Sequence, residues 1–227
     1  MNSGPENIRR LKKRISKGKR SISSRRWLER QINDPFSIAA SEGIYRSRSA
    51  YKLIELNNKF KLFKKGDNVL DLGSSPGGWS QVVSKLISSS KHGNLVAIDI
   101  KKMELINGVH FINGDIKDEK VINLIKKRFM NVDVVISDMA PNSIGHKSTD
   151  QIRSQILSEK AFEVARIFLK NNGNFCCKII TGGEITSFVN ILKYNFQYVK
   201  RYKPVSSRKD SAEIFLVGLN YRQDVVE

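Results

Sequence analysis

Short apolar runs alternate with amphipathic stretches along most of this chain. The runs with strand composition cover residues 68–73, 94–100, 109–112, 132–136 and 174–180. Apolar residues recur at helical spacing within residues 46–60, 80–88, 119–129, 150–169 and 184–194. Strands that are apolar along their whole length, with helices between them, are typical of a parallel sheet covered on both faces. The pattern therefore predicts an α/β fold.

The last part of the chain follows a different pattern. Residues 196–202 and 213–220 both have the composition of strands, and only residues 203–212 separate them. A connection this short cannot hold a helical crossover, so the two strands are expected to pair antiparallel. We predict a seven-stranded, mostly parallel sheet with an antiparallel terminal strand and helices on both faces. This layout resembles the Rossmann-like fold of AdoMet-dependent methyltransferases.

A glycine-rich loop, Gly73-Ser74-Ser75-Pro76-Gly77-Gly78, follows the first predicted strand. A strand, a glycine loop and a helix in this order place backbone N–H groups and a helix N-terminus at the carboxyl edge of the sheet, where open α/β folds bind ligands. The loop is therefore predicted to cradle a cofactor. A dinucleotide fingerprint reads G-x-G-x-x-G, and the rigid Pro76 between the glycines argues against that class of ligand.

Carboxylates are placed along three successive strands near the same edge. Asp71 lies in the first strand, Asp99 ends the second, and Asp115 follows the third. Such carboxylates can accept hydrogen bonds from the ribose hydroxyls of a nucleoside-containing ligand. Asp99 and Asp115 could instead cap the helices that follow. That alternative is weaker for the whole set than for either residue alone.

Three charged residues stand in segments that otherwise look buried. Lys178 lies within the fifth predicted strand, Glu213 begins the last one, and Lys52 lies within the first predicted helix. Burying an unpaired charge is costly, so such residues are expected to be paired or functional. Asp138 follows the fourth strand, and all four residues could meet at one edge of the sheet.

Positive charge is concentrated at the start of the chain. The 227 residues carry a formal net charge of +18, and residues 1–30 hold eleven basic side chains against two acidic ones. A surplus of this size indicates a polyanionic partner, with nucleic acid ahead of membrane. We expect residues 1–33 to form a flexible basic arm, with a transit peptide as the alternative, and residues 34–227 to form one catalytic domain.

The patterns of cysteine, histidine and hydropathy indicate the cellular compartment and whether a metal site or a membrane segment is expected. Cys176 and Cys177 are adjacent in an apolar run without the spacing of a metal site, which favours core residues of a reduced, cytoplasmic protein. The three histidines are scattered, so no metal site is predicted. No run approaches the ~20 apolar residues of a membrane span, so neither a signal peptide nor a membrane segment is expected.

Five motifs resemble those of one family, in order and with compatible spacing. They are residues 45–53 (YRSRSAYKL), residues 71–80 (DLGSSPGGWS), residues 137–142 (SDMAPN), Lys178, and Ser206-Ser207-Arg208 followed by Glu213. The likeness extends over residues 34–220. On these residues the chain resembles the FtsJ/RrmJ (RlmE) family of ribosomal RNA 2'-O-methyltransferases.

The resemblance implies a reaction and a set of site residues. It implies a catalytic tetrad of Lys52, Asp138, Lys178 and Glu213, in which Lys178 accepts the proton of a ribose 2'-hydroxyl. It also implies that S-adenosyl-L-methionine (AdoMet) is the cofactor and contacts Gly77, Trp79, Asp99, Asp115 and Asp138. The implied substrate is one nucleotide, a uridine, of large-subunit (23S) ribosomal RNA, free or within the large ribosomal subunit. A monomer without a protein partner is expected.

The chain departs from the family in two places. Thr181-Gly182-Gly183-Glu184 stand where the better-known members carry a Gln-Gly pair, and this affects contacts near the target nucleotide. The basic arm is also longer than the resemblance requires.

Basic and aromatic residues near the tetrad are predicted to hold the RNA. Arginine and lysine side chains grip phosphates, and aromatic rings stack on unpaired bases. The predicted set is Arg46, Arg48, Lys203, Arg208 and Lys209, next to Tyr51 and Tyr202.

Three other functions are compatible with parts of the pattern. Transfer RNA or another RNA would suit the same tetrad. A dinucleotide-dependent oxidoreductase would explain the glycine loop, but Pro76 and the terminal hairpin argue against it. A non-catalytic RNA-binding factor of ribosome assembly would explain the charge, but the complete tetrad argues against it.

Overall fold

Seven strands form a single mixed sheet in the computed structural model, which describes residues 21–88, 94–129, 131–142, 144–182, 185–208 and 210–223. The strands along the chain are β1 (Val69–Leu72), β2 (Leu95–Asp99), β3 (Val109–Asn113), β4 (Val132–Ser137), β5 (Leu169–Ile180), β6 (Phe196–Tyr202) and β7 (Glu213–Tyr221). The helices are α1 (Ile22–Asn33), α2 (Pro35–Ser41), α3 (Ser49–Phe60), α4 (Gly78–Ile87), α5 (Glu119–Arg128), α6 (Lys147–Phe168) and α7 (Thr186–Asn195). The alternation predicted from the sequence is confirmed.

The strand order in the sheet is β3-β2-β1-β4-β5-β7-β6. The first five strands pair in parallel, and β7 pairs antiparallel with both β5 and β6. The predicted antiparallel pairing of the last two strands is thus confirmed. The sequence did not indicate that β7 lies between β5 and β6. The crossover through α7 sets β6 one position away from β5, and the short connection then returns β7 into the gap.

The two faces of the sheet pack against different helices. Successive side chains of a strand point to opposite faces. On β5, Cys177 joins a cluster that includes Phe162 of α6, whereas Cys176 joins a cluster that includes Leu53 of α3 and Trp79 of α4. Helices therefore cover both faces, as predicted. Both cysteines are fully buried and free.

Helix ends carry residues that complete or complement their backbone groups. At the start of α5, the Asp118 carboxylate accepts a hydrogen bond from Lys120 N at 2.9 Å. The last turn of α5 holds Lys126, Lys127 and Arg128, whose positive charges suit the negative end of a helix. Local sequence therefore sets both ends of this element.

Two helices that the sequence did not predict precede α3. In α1, the Ser21 side chain accepts a hydrogen bond from Ser24 N at 3.2 Å. Asp34 ends α1, and its carboxylate accepts from Ser37 N at 2.8 Å to begin α2. The flexible arm predicted for residues 1–33 thus ends in a capped helix, whose apolar periodicity is masked by its arginines. Residues 1–20 of that prediction lie outside the described residues.

No helix within the described ranges is both long enough and apolar enough to cross a bilayer.

Candidate active site

Two ion pairs lie at the carboxyl edge of the sheet. Lys178 Nζ donates to Asp138 Oδ1 and to the Asp138 carbonyl oxygen, both at 2.7 Å. Lys52 Nζ lies 2.5 Å from Glu213 Oε1. Lys178 also attracts the Glu213 carboxylate, so the two pairs form one cluster. The structure therefore brings together the four residues of the predicted tetrad.

Strand pairing assembles this cluster from distant parts of the chain. Pairing of β4 with β5 stops one residue before Asp138 and Lys178, so these two residues lie side by side. On the other side of β5, Glu213 pairs with Ile180, and alternate residues of β5 such as Lys178 and Ile180 share a face. Lys52 reaches the same face from α3.

The four side chains of the cluster are largely buried. Their exposed fractions are 10% for each lysine, 17% for Asp138 and 16% for Glu213. Burial by itself would raise the pKa of Glu213, but attraction to the Lys52 ammonium and hydrogen bonding lower it below its usual range. Glu213 is therefore a carboxylate at neutral pH and can hold Lys52 in place.

The glycine loop is wedged between two other segments. Gly73 has φ +78°, and a Cβ there would collide with Met139. Met139 directly follows Asp138, which lies at the carboxyl edge of the sheet. Gly77 has φ +110°, and a Cβ there would lie 2.9 Å from Met103 Sδ. The Ser75–Pro76 peptide bond is cis. The loop can approach its neighbours this closely only with glycine at both positions.

Asp99 ties the glycine loop to the connection between β2 and β3. Its Oδ2 accepts a hydrogen bond from Ser75 N at 2.8 Å, and its Oδ1 accepts from Lys101 N at 2.7 Å. No helix lies between β2 and β3 among the residues that the structure describes. The helix-capping alternative is therefore wrong for Asp99.

Asp115 lies on the exposed side of the same edge, just after β3. Its carboxylate accepts a hydrogen bond from the N–H two residues later, at 2.9 Å. The following helix, α5, is capped by Asp118. Capping is therefore not the role of Asp115 either.

Trp79 lies in the core and not in an open site. Its side chain is 2% exposed, and its Nε1 donates to the Ser49 carbonyl oxygen at 2.9 Å. The ring packs against Phe215, with the ring centroids 5.8 Å apart. A cofactor could meet Trp79 only through the backbone N–H in the first turn of α4, where helices have unpaired donors. Sequence reasoning did not separate these two kinds of contact.

Asp71, which the sequence placed among the three carboxylates suited to a nucleoside-containing ligand, is a buried carboxyl group. It is fully buried, Ser80 Oγ donates to its Oδ2 at 2.6 Å, and its Oδ1 has no hydrogen-bond partner within the described residues. Burial raises the pKa of Asp71 to about 7, and the charges of Asp138 and Asp99 act in the same direction. A lone acidic residue in a four-residue apolar strand is the sequence signal that marks it.

The chemistry of this edge suits a ligand with positive charge and hydroxyl groups. Asp71, Asp99 and Asp138 are close enough to influence one another electrostatically. The unpartnered oxygen of Asp71 offers an acceptor, and the N-terminus of α4 offers backbone donors. AdoMet has a positive sulfonium, a positive ammonium and a ribose, so the residues present fit this cofactor. In the described ranges, no group of three or more His, Cys, Asp or Glu side chains could hold a metal ion.

Arg46 braces the cofactor side of the site. Its Nη1 donates to the Glu104 carbonyl oxygen at 2.7 Å, and its Nη2 donates to the Leu105 carbonyl oxygen at 2.9 Å. The side chain therefore fixes the connection after β2. The sequence predicts an RNA contact for Arg46, and no local pattern indicates these carbonyl partners.

Arg48 and Arg208 lie beside the tetrad, with electrostatic repulsion between them. Arg48 forms an ion pair with Asp34 at 3.2 Å and donates to the Ser206 carbonyl oxygen. Within the described residues, two buried donors of Arg208, Nε and Nη2, have no hydrogen-bond partner, and the same holds for Nε of Arg48. Arg208 is therefore the arginine of this pair with more unpartnered donors.

The remaining predicted RNA-binding residues have mixed placements. Lys203 Nζ donates to the Ser211 carbonyl oxygen at 2.8 Å, and Lys209 lies outside the described residues. Tyr51 is only 7% exposed, which contradicts the prediction that it faces an RNA groove. Tyr202 is partly exposed and has Lys59 Nζ 4.6 Å from its ring centroid.

Comparisons with known proteins extend these observations. The model of one family, the FtsJ-like methyltransferases, matches residues 45–221. A protein of Rickettsia typhi named ribosomal RNA large subunit methyltransferase E is 48% identical over 206 residues, which cover 89% of this chain and 91% of that protein. Its namesake in Rickettsia felis is 47% identical over 206 residues, with the same coverage.

A solved structure from Plasmodium falciparum has a similar fold. It is described as a ribosomal RNA methyltransferase, is 33% identical, and covers 78% of this chain and 98% of its own, with a TM-score of 0.71. The two chains therefore share the same overall fold.

Proposed function

The chain belongs to the FtsJ-like methyltransferase family, and from this premise we propose that it transfers a methyl group from AdoMet to the 2'-hydroxyl of a uridine in large-subunit ribosomal RNA. The choice of RNA follows the names of the relatives in Rickettsia. The observation that carries the choice of reaction is the buried cluster of Lys178, Asp138, Lys52 and Glu213 beside the glycine loop.

AdoMet would lie along the carboxyl ends of β1, β2 and β4. Asp99 is suited to its ribose hydroxyls, and Asp115 adds a second carboxylate at that end of the site. Gly77 and the N–H of Trp79 lie where α4 begins, and Asp138 and Asp71 suit the positive end of the cofactor. When bound, AdoMet supplies a methyl group activated by a positive sulfonium.

Lys178 is suited to accept the proton of the ribose 2'-hydroxyl. In its uncharged form, an amine has two N–H bonds and one lone pair. Asp138 receives two hydrogen bonds from Lys178 Nζ, one through Oδ1 and one through its carbonyl oxygen. The lone pair is then left for the hydroxyl, which becomes more nucleophilic as its proton leaves. Proton transfer requires a hydrogen-bond distance between the Lys178 nitrogen and the ribose hydroxyl. Asp138 therefore acts by orienting the base.

Lys52 and Glu213 would complete the environment of the base. Glu213 holds Lys52 in place through the 2.5 Å contact, so an ion pair lies beside Lys178. Glu213 also attracts Lys178, which links the two ion pairs of the cluster. Both side chains help to exclude water from the reacting hydroxyl because they are largely buried.

Arg208 is proposed to bind a phosphate next to the target nucleotide. Its Nε and Nη2, which have no hydrogen-bond partner within the described residues, form a planar pair of donors that matches two phosphate oxygens. Arg48 lies beside it and adds positive charge.

Transfer of a labelled methyl group tests this function. We expect wild-type protein to label large-subunit RNA or ribosomal particles that lack the modification, with the label at a ribose after nuclease digestion. Lys178→Ala should lower the rate by about 10²–10⁴-fold, the contribution typical of a general base, without weakening AdoMet binding. Lys126→Ala, on exposed α5, is the matched control and should retain full activity.

Three results would contradict the proposal. Label on a base would exclude ribose methylation, and label only on transfer RNA would exclude the ribosomal substrate. AdoMet binding without transfer to any RNA would indicate a binding factor of ribosome assembly.

A further inference from the structure

The end of β5 that holds Lys178 extends beyond its neighbour β4. Register with β4 ends at Cys177, whereas pairing with β7 continues to Ile180. Thr181 N donates to Ala212 O on the β7 side, so the polar backbone groups of Lys178 and Ile180 point to the β4 side. In that direction they have no strand to pair with.

Side chains of α6 bond to this extension in place of a strand. Ser158 Oγ donates toward the Lys178 carbonyl oxygen at 2.8 Å, and Ser154 Oγ accepts from Ile180 N at 3.0 Å. One turn earlier, Gln151 Nε2 donates to the Thr181 carbonyl oxygen at 3.0 Å. We call these three side chains, Gln151, Ser154 and Ser158, the α6 polar stripe.

The stripe is not a solvated helix face. Ser154 is 1% exposed and Ser158 is 2% exposed, and the next buried residues of α6 are apolar, beginning with Ala161. A buried hydroxyl is costly unless it is bonded. Ser158 Oγ also lies 2.9 Å from the Ser154 carbonyl oxygen, a contact that any helical serine can make. That contact forms within the helix and needs no strand nearby. It therefore does not explain the hydrogen bonds that the two serines make to β5.

We propose that Ser154 and Ser158 are positioning residues for Lys178. They hold the backbone at Lys178 and two residues later, and thereby fix the direction in which the Lys178 side chain leaves the strand. Lys178 Nζ then bonds to Asp138 at the end of β4, across the same gap that the stripe closes. This inference rests on the proposed function, in which Lys178 is the base.

The stripe also fixes the segment after Lys178. Gly182 has φ +123°, and a Cβ there would collide with the Gln151 amide. Gln151 thus packs on Thr181 and Gly182, which begin the segment in which the chain departs from its family. The backbone next to the base is held from the α6 side by a side chain.

Ser158→Ala is the principal test. We expect kcat for methyl transfer to fall about tenfold, because a displacement well under 1 Å of a base costs part of the ~10²-fold seen for larger misplacements. AdoMet Kd should stay within twofold of wild type, since no cofactor-side residue is touched. Ser154→Ala should act in the same direction, which keeps the test valid if one variant fails to fold.

Two comparisons separate positioning from a general loss of stability. Val164→Ala removes buried packing from the same helix six residues beyond Ser158, about 9 Å along the helix axis, so it should lower Tm and leave kcat unchanged. In the Lys178→Ala background, Ser158→Ala should have no further effect on the residual rate, because its route to the reaction is gone.

The outcomes distinguish this inference from the proposed function. If Lys178→Ala itself retains the wild-type rate, the proposed function is wrong. If Lys178→Ala is inactive but Ser158→Ala and Ser154→Ala keep kcat within twofold of wild type, the positioning role is overturned. An equal loss in both Lys178 backgrounds would overturn it as well.

Discussion

At the scale of single residues, the site consists of buried ionisable side chains. All but Asp71 have an oppositely charged neighbour within the described residues. Lys178, Asp138, Lys52 and Glu213 each have an oppositely charged neighbour. Among the residues that the structure describes, the Asp71 carboxyl group has the Ser80 hydroxyl as its one hydrogen-bond partner, and burial raises the pKa of Asp71 to about 7. Asp71 is thus protonated at low pH and carries an unpaired buried charge above neutrality.

Asp71→Asn should flatten the pH dependence of stability. An unfolded aspartate titrates near 3.8 and the folded one at about 7, so the folded state binds more protons between these values. Wild-type stability should therefore fall as pH rises from 5 to 7, by about 1.4 kcal/mol per pH unit from this group. Asparagine accepts the same Ser80 hydrogen bond and has no charge to bury, so the variant should be the more stable protein at pH 8. Urea unfolding of the cofactor-free protein at pH 5 and pH 8 measures this difference, and equal slopes for both proteins would contradict it.

At the scale of elements, α3 connects the cluster of Lys178, Asp138, Lys52 and Glu213 to the loop between β6 and β7. Lys52 contacts Glu213, and one turn later Glu55 accepts hydrogen bonds from Val205 N at 2.7 Å and Ser206 N at 2.9 Å. Residues three apart lie on the same side of a helix, so one face of α3 holds both. The loop that bears Arg208 is therefore fixed from the same helix as the tetrad.

Glu55→Ala should loosen this loop. Each hydrogen bond to a charged group contributes about 1.5–3 kcal/mol, so the amides of Val205 and Ser206 should exchange at least about tenfold faster with solvent deuterium. The KM for RNA should rise while the Kd for AdoMet stays constant, because α3 reaches the RNA side of the site through this loop. Glu55→Gln retains one acceptor and should give an intermediate exchange rate. Unchanged protection at both amides would show that the loop is held by other contacts.

The sequence predicts the elements in which apolar residues recur at regular spacing. It does not predict features that depend on contacts between residues distant along the chain. The strands, α3 to α7 and the meeting of the tetrad follow from apolar periodicity and from strand ends that share an edge. The helix α1 was hidden because arginines interrupt its apolar spacing. The burial of the Trp79 ring depends on the Ser49 carbonyl and Phe215, which no local pattern reveals. The bracing role of Arg46 depends on carbonyl groups far along the chain.

At the scale of the whole molecule, the net charge of +18 sets the attraction to RNA, while few basic side chains decide where it docks. Most basic residues contribute to a diffuse field that salt screens. Arg46, Arg48 and Lys203 already donate to protein partners, whereas two of the guanidinium nitrogens of Arg208 have no hydrogen-bond partner among the residues that the structure describes. Specific phosphate binding should therefore depend on Arg208 more than on its neighbours.

Arg208→Ala should weaken RNA binding and reduce its salt dependence. Loss of one phosphate contact lowers the slope of log Kd against log salt concentration by about 1. Arg208→Lys keeps the charge but not the planar donors, so it should preserve the slope and still bind RNA more weakly. Filter binding between 50 and 200 mM salt, about the range over which such slopes are resolved, measures both quantities. A slope unchanged in Arg208→Ala would place the phosphate elsewhere.

The position of β7 has a consequence for synthesis on the ribosome. β5 and β6 leave the exit tunnel before β7, yet β7 fills the position between them and brings Glu213 to the cluster. Until that strand is inserted, β5 has an open edge and Lys52 lacks its carboxylate. A nascent chain can therefore bury the first sheet strands early, but it completes the proposed active centre only once β7 has been inserted. Under the proposed function, methyl transfer reports that this strand has been made and placed.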